Sequence, residues 1–465
     1  MNPGHMPNST AARDIAYLLH PNTNARAHEQ RGPTVLERGN GVFVYDEDGR
    51  AYLEGIAGLW SVALGFSERR LAQVAYDQMC RLPFYHVFYH KGHGPAADLA
   101  ETLVKIAPAG LGRVFFTNSG SEANDTVMKI VWYYNNAIGR PKKKKIISRH
   151  GAYHGVGIGS GSLTGLPMNH LNFDLPIPNV LHTRCPDFYH EGRPGETEEQ
   201  FSQRCAAELE SLILTEGPET VAAFIGEPVM GGGGVLVPPT GYWSAIQSIC
   251  RKYNILVVAD EVITGFGRTG ALFASELYGI QPDLMVLSKQ LTSSYVPLAA
   301  VLFTDEIYQA IADASAQLGA FGHGFTTGGH PVATAVGLAN VQLILDRDLV
   351  GHVRDVQARF QTHLRGFADH PLVGDIRGVG LLGAVEFVAD RGRRKIFDPA
   401  GRVGAYFFER GHEHGLIVRY IKDVIALCPP LIITEDEIDE LFERFARTLN
   451  DTWAWVEGTR YVNGR

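Results

Sequence analysis

The sequence predicts an α/β protein whose large, mainly parallel sheet is followed by a smaller α+β region. Between about residues 95 and 330, short apolar runs alternate with longer helical stretches, as in the βαβ units of a parallel sheet. The last ~130 residues have a different pattern, in which helices are mixed with paired strands. A chain of 465 residues is long enough for two or three domains.

The elements can be assigned in chain order. Residues 31 to 65 alternate "GNG" and "DEDG" turns with short β-like runs, which predicts hairpins or a small meander. The central strands are predicted in "GRVFFTN", "KKKIISR", "TVAAFIGEPV", "NILVVADEV", "DLMVLSKQ" and "PLAAVLFTD". Helices are predicted in "SEANDTVMKIVWYYNNAI" and "GYWSAIQSICRKY", and a section rich in loops precedes "TVAAFIGEPV". The run Lys142 to Lys145 is expected to be a solvated loop.

The C-terminal region begins with a long helix around "PVATAVGLANVQLILDRDL" and continues into a strand pair, "LVGDIRGVGLLGAVEFV". Helix, strand, strand and a final helix are expected to follow. Thr434 to Glu437, "TEDE", has the spacing of a capping box and predicts where the last helix begins.

Composition narrows the class of protein. The net charge of -8 argues against a protein that coats nucleic acid or anionic lipid. No apolar stretch approaches the ~20 residues of a membrane-spanning helix, and the N-terminus has no signal-peptide pattern. The five cysteines are widely spaced and odd in number, without metal-binding spacing. We therefore expect a soluble cytoplasmic protein.

Charged residues follow three of the predicted strands. Glu227 ends "AAFIG", Asp260 ends "ILVVA" and Lys289 ends "LMVLS". Ligands of parallel α/β sheets bind beyond the carboxyl ends of the strands. Asp260 and Lys289 are one βαβ unit apart, so they can occupy neighbouring strand ends. A plain buried ion pair is the alternative, although such pairs often add little stability.

Small residues follow the first central strand, in "FFTNSGSEAND". Ser119, Gly120 and Ser121 would lie at the N-terminus of a helix, where backbone N–H groups favour an anion such as phosphate. An ordinary Ser-Gly helix cap is the alternative.

Two other patterns carry less weight. "GFGRTG" (265–270) matches a dinucleotide fingerprint but does not join a strand directly to a helix. His86, His90 and His93 are not accompanied by a closed set of metal ligands, so no metal is expected.

A phosphate cup, a buried lysine and a buried aspartate together suit pyridoxal 5'-phosphate. Its aldehyde forms a Schiff base with an amine, and its pyridinium nitrogen needs an acidic partner. These residues predict that Lys289 holds the cofactor covalently.

The chain resembles the class III pyridoxal-phosphate aminotransferases, and among them the ω-transaminases that use pyruvate as amino acceptor. The resemblance runs from "HPNTN" near residue 20 to "LIITEDEIDEL" near residue 440. It is carried by "EGIAGLWSVALGF", "LPFYHVFYH", "FFTNSGSEAND", "AYHG", "GEPVMGGGGVLVPP", "ADEVITGFGRTG", "SKQLTSSYVPLAAV" and "HGFTTGGHPVA". It implies a pyridoxal-phosphate-dependent fold of type I, with a mainly parallel seven-stranded sheet in the large domain and a small α+β domain.

The resemblance also implies roles for individual residues. Lys289 and Asp260 are the catalytic residues, and Asp260 pairs with the pyridine nitrogen. The other residues implied to bind the cofactor are Ser119, Gly120, Ser121, Tyr153, His154, Glu227, Val262, Phe325 and Thr326, the last from the partner subunit. The residues implied to bind substrate are Asn22, Trp60, Phe88, Tyr153 and Arg419, of which Arg419 is a mobile arginine that receives a carboxylate.

The implied domains are residues 1–68 as the N-terminal part of the small domain, 69–335 as the large cofactor-binding domain and 336–465 as the C-terminal part of the small domain. A homodimer with active sites at its interface is implied, with a tetramer as an alternative. The ligands would be an amino donor and a keto acid.

Three positions depart from the family pattern. Asn22, Met168 and Thr327 stand where an aromatic residue is common, which bears on substrate range. An aminomutase, epimerase or decarboxylase on the same fold is an alternative activity, and a cofactor-binding regulator is a non-enzymatic one. The regulator is disfavoured because Lys289 and Asp260 are both intact and no DNA-reading module is appended.

Overall fold

A computed structural model describes residues 8–459 and contains three sheets. The strands are β1 (Leu36–Asn40), β2 (Phe43–Asp46), β3 (Ala51–Glu54), β4 (Leu111–Thr117), β5 (Lys145–Arg149), β6 (Val180–Thr183), β7 (Val221–Gly226), β8 (Leu256–Asp260), β9 (Leu284–Leu287), β10 (Ala299–Thr304), β11 (Val373–Val379), β12 (Leu382–Phe387), β13 (Leu416–Ile417), β14 (Arg419–Ile421) and β15 (Val424–Leu427).

The helices are α1 (Thr10–Tyr17), α2 (Ala25–Arg31), α3 (Ala57–Trp60), α4 (Arg69–Arg81), α5 (Gly94–Ile106), α6 (Gly120–Ala137), α7 (Ile158–Leu163), α8 (Phe188–Glu191), α9 (Glu198–Glu216), α10 (Tyr242–Lys252), α11 (Ala274–Leu277), α12 (Asp305–Leu318), α13 (Pro331–Asp346), α14 (Leu349–Arg365), α15 (Arg402–Glu413) and α16 (Glu435–Gly458). Two 3₁₀ turns occupy Pro167–Asn169 and Lys289–Leu291.

The central sheet has seven strands in the order β4-β10-β9-β8-β7-β5-β6. All neighbours are parallel except for β10, which is antiparallel to both β4 and β9. The predicted mainly parallel sheet is therefore confirmed. One of its strands, β6, lies in the section that the sequence predicted to be rich in loops.

The two faces of this sheet are covered by different helices. Val258 and Ile225 belong to one buried cluster with residues of α6, whereas Val257 and Phe224 belong to another with residues of α9 and α10. Successive side chains of a strand point to opposite faces, so a strand buried on both sides is apolar throughout. This explains why the central strands read as continuous apolar runs.

Both ends of the chain contribute to one smaller sheet. Its order is β1-β2-β3-β13, and Leu416 of β13 pairs in parallel with Leu53 of β3. The predicted meander of residues 31 to 65 is confirmed as β1 to β3. A further sheet, β11-β12-β15-β14, includes the predicted strand pair. The domain boundaries proposed from the sequence stay predictions.

The last helix begins where the sequence indicated. Thr434 is the N-cap of α16, its side chain accepts from the Glu437 backbone N–H, and the Glu437 side chain accepts from the Thr434 backbone N–H. This reciprocal pair satisfies two backbone donors that the helix leaves unpaired. In residues 8–459, no helix combines the length and apolar character needed to cross a membrane.

The lysine run differs from the expected solvated loop. Lys142 is exposed, but Lys143 is buried and its ammonium donates to the carbonyls of Val221, Tyr253 and Asn254 at 2.9, 3.0 and 2.7 Å. Lys145 is the first residue of β5. The expectation was wrong for Lys143 because three carbonyl groups at the ends of elements converge there and need a donor.

Candidate active site

Three parallel strand ends bring Glu227, Asp260 and Lys289 to one edge of the central sheet. Gly226 of β7 pairs with Ala259 of β8, and Asp260 pairs with Val286 of β9. Glu227 and Asp260 are each 3% exposed. The predicted proximity of Asp260 and Lys289 on neighbouring strand ends is therefore confirmed.

Lys289 occupies a constrained backbone position two residues after the end of β9. Its φ of 44° lies in the left-handed region, which side chains other than glycine seldom adopt. Burial lowers the pKa of Lys289 to about 8, although the negative charges of Asp260 and Glu227 raise it. An amine with this pKa is neutral for part of the time near pH 7 and can then attack a carbonyl group.

Asp260 is held as a carboxylate by two neighbours. Burial pushes its pKa up, but hydrogen bonds from His154 and Asn124 outweigh burial, and the net pKa of Asp260 is lowered. His154 Nδ1 donates to Oδ2 at 2.7 Å and Asn124 Nδ2 donates to the same oxygen at 3.0 Å. The other oxygen, Oδ1, accepts from the Val262 backbone N–H at 3.2 Å.

Asn124 was not singled out from the sequence. Its side-chain amide also donates to the His154 carbonyl at 2.7 Å, so it fixes both the carboxylate and its histidine partner. The available signal was its place within "FFTNSGSEAND", where it is a polar residue on the buried face of α6.

The small residues after β4 form the N-terminus of α6 as predicted. Ser119 is the N-cap, and its hydroxyl accepts from the Glu122 backbone N–H. A Cβ on Gly120 would lie 3.6 Å from Val262 and 3.8 Å from Ser288, so this turn lies against the ends of β8 and β9. Ser121 Oγ accepts from the Val156 backbone N–H at 3.1 Å. Unpaired N–H groups at this position favour an anion.

Glu227 organises the loop that carries Tyr153. Its two carboxylate oxygens accept from the backbone N–H groups of Tyr153 and Gly231, both at 3.0 Å. Burial raises the pKa of Glu227. A Cβ on Gly232 would lie only 2.7 Å from the Cβ of Tyr153, so the glycine run is needed for this close approach.

Arg149 is a second residue that the sequence reasoning missed. It ends β5, is completely buried, and its Nη2 donates to the Glu227 carbonyl at 2.7 Å. Its guanidinium lies 5.4 Å from the centre of the Trp243 ring. The rule that singled out Glu227, Asp260 and Lys289 at strand ends applies equally to Arg149.

Arg419 contributes a cation from the C-terminal region, as the first residue of β14. Burial lowers the pKa of Arg419, while the nearby Tyr153 hydroxyl raises it. Its Nε is buried and has no hydrogen-bond partner among residues 8–459. Since burying an unpaired donor is costly, this guanidinium is suited to a ligand that supplies an acceptor.

The remaining predicted residues lie in several different places. Trp60 is 3% exposed, has a φ of 65° and packs in a buried cluster with Ile56 and Val229. Asn22 lies in the exposed turn between α1 and α2 with a φ of 51°. Met168 is 73% exposed.

Phe88, Phe325 and Thr326 belong to one region of the surface. The Phe88 ring lies where a Cβ on Gly324 would approach it to 2.7 Å. Phe325 is partly buried, Thr326 is exposed, and Thr327 Oγ1 donates to Asn118 Oδ1 at 2.9 Å. Asn118 directly precedes Ser119, so this segment adjoins the N-terminus of α6. The binding roles of all these residues stay predictions.

The arrangement fits pyridoxal phosphate by its chemistry. The N-terminus of α6 offers N–H donors for a phosphate, Asp260 offers a carboxylate for a pyridinium nitrogen, and Lys289 offers a primary amine of lowered pKa. All three elements meet at the same sheet edge.

Comparison with known proteins agrees with this chemistry. Residues 24–449 match the family model of the class III aminotransferases. γ-Aminobutyrate transaminase 1 of Solanum lycopersicum, a mitochondrial protein, is 48% identical over 95% of this chain and 86% of its own length. Its counterpart in Oryza sativa subsp. indica is 50% identical over 90% of this chain and 82% of its own length.

Solved structures are similar over nearly the whole chain. A thermostable ω-transaminase variant from Pseudomonas jessenii superposes with a TM-score of 0.96 at 57% identity, over 96% of this chain and 99% of that one. The ω-transaminase of the same organism in complex with PMP has a TM-score of 0.96 at 56% identity, over 97% of this chain and 99% of that one. The sheet edge that carries Lys289 is thus part of a known type I fold, and the chain belongs to the class III aminotransferases, which depend on pyridoxal phosphate.

Proposed function

We propose that this aminotransferase moves the amino group of an amine or ω-amino acid to pyruvate by a ping-pong mechanism. β-Alanine and taurine are donors of this class, and the relatives named γ-aminobutyrate transaminases add γ-aminobutyrate to it. In a ping-pong reaction one pocket takes the donor and the keto acid in turn, so it must accommodate substrates with and without a carboxylate beside the reacting carbon.

The observation that best supports this proposal is the guanidinium nitrogen of Arg419 that is unpaired within the described part of the chain. A partly buried guanidinium whose Nε lacks a partner among residues 8–459 is matched by the carboxylate of a keto acid, which can accept two parallel hydrogen bonds. Tyr153 lies within electrostatic reach of Arg419 and is itself tied to Glu227. The carboxylate would thus be held on the side of the site that carries Tyr153.

The other residues act on the reacting atoms. When bound, the cofactor would supply an electron sink for the negative charge that develops at the substrate carbon. Lys289, as a free amine of lowered pKa, would take the proton from that carbon and deliver it to the C4′ carbon of the cofactor. Asp260, kept ionised by His154 and Asn124, holds a proton on the ring nitrogen. Tyr153 and Val262 would cover the two faces of the ring.

The partner subunit completes the site in this proposal. Thr326 is exposed and belongs to a segment attached beside Ser119 through Asn118, at the surface of the chain. In a homodimer, the partner's copy of this segment would reach the phosphate, and the exposed Thr326 would be covered by the other subunit.

The test separates the two half-reactions of an Arg419→Ala variant. We expect the half-reaction with pyruvate to weaken by about a hundredfold or more, since a charge-assisted pair is worth roughly 3 kcal/mol. The half-reaction with a carboxylate-free amine should change by much less. Stopped-flow absorbance of the cofactor measures each half-reaction on its own.

Two controls define the result. Arg447→Ala removes an exposed arginine of α16 and should leave both half-reactions at the parental rate. Arg419→Lys keeps the charge without the planar fork, so it should recover only part of the pyruvate rate. Equal losses in both half-reactions would remove Arg419 from the substrate site. A donor panel in the same assay then ranks β-alanine, taurine, γ-aminobutyrate and simple amines.

A further inference from the structure

Three potential metal ligands converge in the N-terminal region, apart from the catalytic residues. Asp14 lies in α1, His28 lies in α2, and His20 lies in the connection between them. Asp14 Oδ1 is 2.8 Å from His20 Nε2 and 2.9 Å from His28 Nε2. The three donor atoms all lie within 4.8 Å of one another.

We propose that Asp14, His20 and His28 bind a divalent transition-metal ion of the zinc type. Two imidazoles and one carboxylate are a donor set that Zn²⁺ accepts, with further positions filled by water. Metal–ligand bonds of about 2.1 Å place neighbouring donor atoms about 3.0 to 3.4 Å apart in tetrahedral or octahedral geometry. The two Asp14–histidine contacts would open by a few tenths of an ångström to admit the ion, and the two imidazole nitrogens already lie within 4.8 Å of each other.

The surroundings leave room for the remaining ligands. A cavity of about 280 Å³ is lined in part by His20, His28 and Glu29. The side chains of Asp14 and His28 are only 17% and 11% exposed, so the surrounding chain restricts their positions. A site that is already assembled loses less conformational entropy when it binds an ion.

The ion would hold α1 and α2 together, because it would be bound by residues of both helices. α1 and α2 have only eight and seven residues, and helices this short are marginal without tertiary support. The connection between them carries Leu18 and Leu19, which are 56% and 82% exposed. Coordination from both helices and their connection would fix the path of this apolar segment. The sequence analysis did not predict this metal site, because the spacing of Asp14, His20 and His28 follows no metal-binding motif.

The experiment measures zinc bound to the untagged, cofactor-loaded enzyme. The protein is treated with a chelator, equilibrated with Zn²⁺, desalted and analysed for zinc by mass spectrometry, with calorimetry for the affinity. We expect one zinc per chain. In Asp14→Asn and His28→Gln, zinc affinity should fall by at least about a hundredfold, since even outer partners of metal ligands cost 10- to 100-fold.

A matched control comes from the same chain. His414 Nε2 makes a contact of the same kind, 2.8 Å from Asp451, but the second group on that carboxylate is the guanidinium of Arg410. A guanidinium does not bind a metal ion, so His414→Gln should retain the parental zinc content. Circular dichroism checks that each variant is folded. Less than one tightly bound zinc per chain in the parent, or equal zinc in the parent and in folded Asp14→Asn, would overturn the proposal.

Discussion

Asp260 depends on its two hydrogen-bond partners as much as on its position at a strand end. Alone, a carboxyl group at 3% exposure would tend to stay protonated. His154 and Asn124 both donate to the same oxygen, which keeps the group ionised and leaves the other oxygen with a single backbone donor. The residue is thereby prepared to hold a proton on a ring nitrogen.

Replacing this charge tests its contribution to the chemical step. Asp260→Asn keeps the size of the side chain but loses the charge, so single-turnover rates should fall by two orders of magnitude or more. Each ~1.4 kcal/mol of lost stabilisation is tenfold in rate. Stopped-flow absorbance gives the rate and the visible spectrum reports bound cofactor. Parental single-turnover rates with cofactor still bound would show that another group faces the ring nitrogen.

The carboxyl group of Glu54 lies in a strained turn and has a raised pKa. Its oxygens accept from the backbone N–H groups of Ile56 and Gly58. The turn includes Ala57 and Trp60, which have φ values of 49° and 65°. Burial raises the pKa of Glu54 to about 7, against the effect of the two N–H donors.

This pKa predicts the direction of a stability change. Between pH 4.5 and about 7 the folded state binds more protons at Glu54 than the unfolded state, so the free energy of unfolding falls as pH rises. The effect is on the order of 3 kcal/mol across that window. Urea unfolding of the parent and of Glu54→Gln from pH 5 to 7 measures it. The variant should show the flatter pH dependence, and parallel curves would contradict the assignment.

At the scale of residues, the sequence was informative where a charged side chain follows an apolar strand. Glu227, Asp260 and Lys289 could be found because each ends an apolar run. Asn124 and Glu54 could not be singled out in this way, because their importance comes from partners that only the fold brings close. Resemblance, not spacing, supplied Arg419 and Tyr153.

At the scale of elements, Lys143 ties the entry of β5 to the end of α10. Tyr253 and Asn254, whose carbonyls accept from its ammonium, directly follow α10, and a cation is favourable at a helix C-terminus. Its third acceptor is the first residue of β7. One lysine thus joins two strands and a helix.

The loss of this lysine should therefore destabilise the protein. We expect Lys143→Met to lower the free energy of unfolding by on the order of 3 kcal/mol, since three carbonyl groups lose a charged donor. Its neighbour Lys142 is exposed, so Lys142→Met serves as the control and should change stability little. Thermal unfolding of the cofactor-loaded proteins compares them, and similar shifts for both variants would contradict the expectation.

Elements were predictable where apolar periodicity is strong. The apolar runs of β7, β8 and β9 located those strands, and the capping box located α16. β6 was missed because Val180–Thr183 is a short strand that includes His182 and has no continuous apolar run. Its assignment depends on pairing with β5, which a local pattern does not contain.

At the scale of the whole molecule, the single chain exposes large apolar side chains. Tyr17, Leu19 and Tyr89 are each more than 80% exposed. When exposed apolar groups lie together, they mark a surface that another molecule covers. A homodimer remains the expectation from the family resemblance.

Mixing two impaired variants tests whether the sites are shared. Lys289→Ala is expected to lose activity because it lacks the reacting amine. Thr326→Ala is expected to lose activity when the cofactor is limiting. If Thr326 serves the partner's site, a random mixture of the two contains mixed dimers with one intact site, and activity should recover to about a quarter of the parent. An alanine-formation assay on the co-expressed mixture measures this, and two affinity tags then isolate the mixed dimers, in which half of the sites are intact. No recovery in verified mixed dimers would place Thr326 in its own subunit's site.

The antiparallel strand β10 has a consequence for how the chain is made. Among residues 8–459, β4 is an edge strand that pairs only with β10, and Thr117 meets its partner Ala299 about 180 residues later in the chain. At ribosomal speeds that interval lasts roughly 10 to 40 s. During synthesis β4 and the start of α6 therefore emerge without the strand that joins them to Lys289. We therefore expect the nascent chain to hold its cofactor only after β10, which ends at Thr304, has been translated.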